Sequence, residues 1–193
     1  AVATVTVQPA NPTPYVGEII TMTAVVIDEN GATLTDRVVA WSTSDAAIVS
    51  IDPTTGDARF LTKGSSDIIA TVETVVGTTT ANVSFELSSV AAGNEHTCGL
   101  APNGISFCWG KGGNGRLGNG TSTDAQLPSF VTTSRQFDEI RPGNQHTCAR
   151  SGGDIFCWGQ DNNGRLGATT SGNDPATPTV RVEGTEMYTQ LDV

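Results

Sequence analysis

Long hydrophobic runs are missing from this 193-residue chain. No apolar stretch approaches the ~20 residues needed to cross a bilayer, and no basic-then-apolar leader opens it, so it reads as a soluble protein without a membrane span. Positive charge is scarce as well: ten Lys and Arg stand against 20 Asp and Glu, a formal net charge of −10. Tracking a phosphate backbone rests on clustered Lys and Arg, so nucleic acid is an unfavoured partner class. Up to Leu87 there are ten acids and three bases, net −7; the rest has ten acids and seven bases, net −3, so the acidity concentrates in the first part. Lys, Leu and Glu are sparse while Thr, Val, Gly, Ser and Asn abound, which favours strands and turns and leaves almost nothing for helices. Cysteine is absent up to Leu87; all four lie beyond it.

What is present begins with short alternating runs bounded by Pro, Gly, Asn or Asp, the period of half-buried antiparallel strands. Seven occur in about 87 residues: Ala3–Val7, Ile20–Val26, Val38–Ser42, Ala47–Ile51, Ala58–Leu61, Ile68–Val72 and Thr80–Leu87. Glu29-Asn30-Gly31 and Asp52-Pro53-Thr54-Thr55-Gly56 supply turn chemistry between them. Regular short strands with such turns indicate a β-sandwich. Trp41, on a middle strand, is read as core, and the acidic turn at Asp28, Glu29 and Asn30 is too small a ligand set for calcium.

This first segment resembles the bacterial Ig-like domain of group 2. The resemblance is carried by Val5-Thr6-Val7-Gln8-Pro9, Val16-Gly17-Glu18, Trp41-Ser42-Thr43-Ser44-Asp45, Ile48-Val49-Ser50-Ile51-Asp52, Lys63-Gly64 and Ile69-Ala70-Thr71-Val72. It implies a spacer or adhesion module of surface proteins.

The second segment repeats. His96-Thr97-Cys98 returns as His146-Thr147-Cys148 at an offset of 50, and Trp109-Gly110 returns as Trp158-Gly159 at 49. Gly115-Arg116-Leu117-Gly118 and Gly164-Arg165-Leu166-Gly167 follow, also at 49. A period near 50 points to propeller blades or a related array. The motif resembles the regulator of chromosome condensation repeat, in the Cys-containing form of secreted bacterial proteins. That family commonly has Gln where Arg116 and Arg165 stand, a departure expected to affect surface character more than fold. The closing run Tyr188 to Val193 resembles Phe137 to Pro142, so a third repeat begins. The resulting organisation is all-β: an Ig-like β-sandwich over 1–87, then two propeller-type blades at about 88–137 and 138–187 with the first strand of a third, within 88–193.

The cysteines carry the sharpest expectation. The midpoint between Cys98 and Cys108 is Asn103, in a Pro102-Asn103-Gly104 loop, and that between Cys148 and Cys157 falls in the Gly152-Gly153 turn. The one-residue deletion therefore lies in the turn, and each pair stands directly opposed on a hairpin, as a disulfide between adjacent strands requires. Two other readings stay open, free buried thiols and a metal site using the His two residues before each first Cys, although the Cys-x2-4-Cys spacing usual for zinc is absent. Disulfides imply an oxidising compartment, hence an extracellular or cell-surface place.

His96 and His146 are read as structural hydrogen-bond formers inside each blade, and Trp109 and Trp158 as packing between blades. No Ser or Cys nucleophile stands with a base and an orienting acid, so no catalysis, cofactor or metal is expected. The expectation is a non-enzymatic surface adhesion or scaffold protein that contacts protein or glycan. Two blades leave open strand edges and uncovered faces, which raises self-assembly into a filament, with Ala3–Val7 or Leu191–Val193 as the donated strand. Alternatives are an accessory module of a larger secreted enzyme, a phage structural protein, and the guanine-nucleotide exchange or chromatin binding for which the repeat family is named.

Overall fold

The computed structural model describes residues 1–168, 174–183 and 191, and the chain divides into two compact units, Ala1–Phe85 and Glu86–Val193.

Unit one holds eight strands: β1 Val2–Gln8, β2 Ile19–Thr21, β3 Thr23–Asp28, β4 Ala40–Thr43, β5 Val49–Ile51, β6 Asp57–Phe60, β7 Gly64–Val72 and β8 Val75–Val83. They pair antiparallel as β1-β3, β2-β6-β5 and β4-β7-β8. The run Ile20–Val26 splits into β2 and β3 because the chain changes partner at Met22: Ile19–Thr21 pair with β6, and from Thr23 onward the partner is β1. Met22 itself is buried and donates its N–H to Gly56 C=O at 2.8 Å. β8 begins at Val75 rather than near Thr80, because Val72 and Val75 face each other across a two-residue turn at Glu73-Thr74 that contains neither Gly nor Asn. Glu73 takes the positive φ, +55°, that such a turn demands.

Alternate residues of β7 (Ser66, Ile68, Ala70, Val72) are buried with Trp41, Val49, Phe60, Ala81 and Val83. Trp41 is core. The Asp28 carboxylate caps its own turn, accepting the Asn30 and Ala32 N–H groups at 2.9 Å each. These bonds hold its pKa below the usual carboxylate value. The Ala3–Val7 stretch considered as a donor strand is already engaged, since β1 is hydrogen-bonded to β3 within its own unit.

Unit two contains two four-stranded antiparallel sheets, one per repeat. The first is built from β9 Ser89–Ala92, β10 His96–Leu100, β11 Ser106–Gly110 and β12 Ala125–Phe130, in the order β12-β11-β10-β9. The second has β13 Glu139–Pro142, β14 His146–Ser151, β15 Asp154–Gly159 and β16 Val180–Arg181, in the order β13-β14-β15-β16. Two single 3-10 turns, Gly113–Gly115 and Asn162–Gly164, occupy equivalent places after the second hairpin strands.

In each hairpin the cysteines are register partners, Cys98 with Cys108 and Cys148 with Cys157, joined as disulfides with Cα atoms 4.1 Å apart. Each disulfide sits inside an apolar cluster. The first includes Leu117, Val131, Phe137, Ile140, Ala149, Phe156 and Trp158, and so draws on both repeats. The second gathers Leu166, Ile155 and Leu191, with Val180 and Val182 packed against it. Of the closing run expected to open a third repeat only Leu191 is described, and the rest lies outside the described residues. Leu191 is buried on the second disulfide's cluster as Ile140 is on the first, an offset of 51.

Candidate interaction site

Repeated residues of unit two converge where the two sheets meet. His96, on β10, points its Nε2 at the Thr147 hydroxyl on β14, 2.8 Å away. Thr147 is fully buried, and its hydroxyl donates to Arg116 C=O at 2.8 Å. A hydroxyl has one proton, so Thr147 must accept from His96, and the histidine carries its hydrogen on Nε2. Trp158 Nε1 donates to the same Arg116 carbonyl at 3.0 Å. His96 Nδ1 is then left buried without a partner. Burial first, then the Arg116 charge and His146, push the His96 pKa down to about 4. The ring is neutral at pH 7.

The sequence reading is corrected at this histidine: its bond runs between repeats, not inside one. His146, the equivalent on β14, is half-buried, and its Nδ1 is also unpartnered. Burial, then the Arg165 charge, lowers its pKa.

Arg116 corrects a second expectation, that an arginine in this place concerns surface character. Its side chain is 7% exposed. Nε donates to Gly113 C=O at 2.9 Å, while one terminal nitrogen donates to Glu95 Oε2 and to Asn144 C=O, each at 3.2 Å. The guanidinium thus ties its own repeat to the next. Asn114 Nδ2 to Gln145 Oε1 and Asn94 Nδ2 to Asn144 Oδ1, both 3.1 Å, add two further bonds across the junction. The apolar side is closed by Trp158, fully buried and stacked on Phe137 with ring centroids 6.1 Å apart.

A histidine beside a hydroxyl is the skeleton of a base and nucleophile, and the geometry argues against that use. The Thr147 oxygen is inaccessible, and its proton is directed at a carbonyl rather than at the imidazole. Two surface clefts lie elsewhere. One, about 440 Å³, has Asp138 as its only titratable lining residue, and the other, about 410 Å³, has only Arg37. Neither brings an acid and a base together. Among the described residues no group of three or more His, Cys, Asp or Glu side chains is placed to hold a metal ion.

The four cysteines were marked by their spacing, and the structure pairs them within hairpins. Thr147 and Arg116 were not marked as functional. The signal available was the recurrence of Thr and Arg at fixed distance from His and Trp in both repeats.

Family comparison detects the regulator of chromosome condensation (RCC1) repeat at residues 103–150 and again at 87–116. The longer match spans the junction, running from before Arg116 to beyond Thr147. Among solved structures the chain is similar to yeast RCC1 (Prp20) bound to Kap60, at 16% identity over 84% of this chain and 47% of that one, with a TM-score of 0.47. It is also similar to human WBSCR16, at 10% identity over 96% and 55%, TM-score 0.48. Domains 4 and 5 of the S-layer protein SbsC match 43% of this chain and 52% of that one at 17% identity, TM-score 0.36. The chain spans about half the length of each of these solved chains.

Proposed function

We propose that this is a non-enzymatic extracellular or cell-surface contact protein, in which an Ig-like spacer presents RCC1-type blades to protein or glycan partners. One observation carries the reading: in both hairpins and at the junction between the repeats, the residues with chemical potential are committed to structure. The cysteines close hairpins, the Arg116 guanidinium and the Thr147 hydroxyl are satisfied at the junction, and His96 is neutral and buried. Disulfides of this kind persist in oxidising compartments, which supports a location outside the cytosol.

What remains for partners is shape and surface. The edge strand β12 presents Leu127, 77% exposed, and Phe130, 38% exposed, on an otherwise acidic protein. Exposed apolar groups on an open sheet edge favour protein contact, and the net charge of −10 disfavours nucleic acid.

Protease treatment of intact producing cells, with assay of the medium, tests the reading. Release or cleavage of the protein without lysis is expected; a protein recovered only from the cytosolic fraction contradicts it.

A further inference from the structure

An Asn-Gly pair can modify itself, because glycine has no Cβ to shield its amide nitrogen from the carboxamide before it. Four such pairs precede the second repeat: Asn30-Gly31, Asn103-Gly104, Asn114-Gly115 and Asn119-Gly120. Their local sequence ranks them equally; the fold does not.

Three of the four are held. The Asn103 carboxamide oxygen accepts the Ile105 N–H at 3.2 Å, and a Cβ on Gly104 would lie 2.9 Å from Phe137 C=O. Asn114 donates its side-chain N–H to Gln145 Oε1 at 3.1 Å, and a Cβ on Gly115 would lie 2.5 Å from Ala176 Cα. Asn119 Oδ1 accepts the N–H and the hydroxyl of Thr121, at 3.1 and 3.0 Å, while its Nδ2 donates to Ser129 Oγ at 3.4 Å. All three asparagines are half-buried. To bring Cγ onto the next nitrogen, each side chain must first leave its partner.

Asn30 differs on each count. It is exposed, as are Gly31 and Ala32, and a Cβ on Gly31 would meet no atom within 4 Å. Among the described residues its carboxamide leans only on the Asp28 carboxylate of its own turn. The glycine N–H does not distinguish the pairs. It donates to a backbone carbonyl in all four: Gly31 to Asp28, Gly104 to Ala101, Gly115 to Gly112 and Gly120 to Ala176.

The structure assigns Asn30 as a self-modification site, converted to aspartate and isoaspartate through a cyclic imide with Gly31 while the fold protects the other three pairs. In the first step the Gly31 nitrogen gives its proton to solvent and attacks Asn30 Cγ. The new N–Cγ bond forms, the Cγ–Nδ2 bond breaks, and the nitrogen leaves with a solvent proton as ammonia. In the second step water opens the imide. Breaking the N–Cγ bond yields aspartate; breaking the bond from that nitrogen to the Asn30 main-chain carbonyl yields isoaspartate. One ammonia leaves, one water enters, and nothing is oxidised or reduced.

Both products alter the turn. Aspartate adds a carboxylate beside Asp28 and Glu29, in a segment with ten acids against three bases up to Leu87. Isoaspartate also lengthens the main chain by one methylene between the Asn30 and Ala32 N–H groups, so the Asp28 carboxylate that accepts both cannot keep the pair.

The test is peptide mapping of the full chain after timed incubation in mildly alkaline heavy-oxygen water, folded and in denaturant. In denaturant the four pairs are expected to take up label at comparable rates. Folding is expected to leave the Asn30 rate nearly unchanged and to slow the other three by about tenfold or more, the cost of opening them locally. Gly31→Ala, which shields the attacking nitrogen, is expected to slow labelling at Asn30 several-fold and leave the other three as they were. The assignment is overturned if folding protects Asn30 as strongly as the others, if any of the three converts faster than Asn30 in the folded protein, or if Gly31→Ala labels at the wild-type rate. Gly31 has φ +82°, so circular dichroism accompanies the variant. Should it not fold, the folded-to-unfolded rate ratios of the wild-type chain decide by themselves.

Discussion

His96 and Thr147 are 51 residues apart and meet at 2.8 Å through an imidazole N–H and a hydroxyl oxygen, so this hydrogen bond joins strand β10 of the first repeat to β14 of the second. Because the hydroxyl passes its proton on to Arg116 C=O, the bond is the first of a relay, and removing its middle member strands both ends.

Thr147→Val keeps the shape and removes both bonds. It is expected to cost about 2 kcal/mol, the usual penalty when buried polar groups lose their partner. The equivalent Thr97→Val, half-buried on the first repeat, is expected to stay within about 0.5 kcal/mol. Chemical denaturation of the two variants checks the contrast.

Acid sensitivity follows from the same histidine. His96 in the folded protein has its pKa near 4, below the ~6.5 of an exposed histidine, so between these values the unfolded chain binds the extra proton. Its contribution to stability is therefore complete above about pH 6.5 and is lost as the pH falls toward 4. The expected loss is about 2 kcal/mol over that window, and His146 adds in the same direction. The carboxylates of Asp28, Asp124 and Asp154 also have lowered pKa values, but their stabilisation is present above about 3.8 and is lost only below it. Denaturant midpoints from pH 7 to 4 should slope downward in wild type and flatten in His96→Gln, which offers an amide N–H to Thr147 without titrating.

Arg116 and Arg165 occupy the same place in their repeats and should respond differently. Arg116→Met leaves Asn144 C=O and Gly113 C=O short of a donor in a buried junction and is expected to cost about 2–3 kcal/mol. Arg116→Lys should recover only part of this, because one ammonium does not reproduce the guanidinium's separate donors. Arg165→Met, at a half-buried position, should cost less than about 1 kcal/mol. Thermal unfolding of the three variants provides the comparison.

Two glycines separate backbone strain from steric exclusion. Gly164 has φ +69° and open space around an added Cβ, so Gly164→Ala should cost about 1 kcal/mol for the left-handed backbone alone. Gly118 has nearly the same φ, +70°, but a Cβ there would lie 2.6 Å from Trp158 Nε1. Gly118→Ala should cost about 3 kcal/mol or more, because it displaces the indole from the Arg116 carbonyl. Near-ultraviolet circular dichroism, which reports tryptophan packing, should change in Gly118→Ala and not in Gly164→Ala.

The legible parts of the sequence were those where local chemistry decides the outcome. Alternation placed most strands of unit one, and the Gly152-Gly153 turn showed that a deletion could leave Cys148 and Cys157 opposed. β8 was placed too late because its turn, Glu73-Thr74, wears no turn-forming residue and is imposed by the pairing of nine residues on each side. The junction was illegible for a different reason. Arg116 is charged and sits beside glycines, which locally reads as surface, and its burial depends on acceptors 21 and 28 residues away at Glu95 and Asn144. His96 was recognised as structural but assigned to its own sheet, since the offset of 51 to Thr147 exceeds the repeat and appears only when one sheet is laid on the next.

The state of the four cysteines in protein taken from its producing cells is the most direct test of a location outside the cytosol. Thiols should be alkylated at the moment of lysis, followed by non-reducing peptide mapping. The prediction is Cys98 linked to Cys108, Cys148 linked to Cys157 and no alkylated cysteine, with about 2–3 kcal/mol of stability lost for each bond when it is reduced. Four alkylated thiols would contradict it.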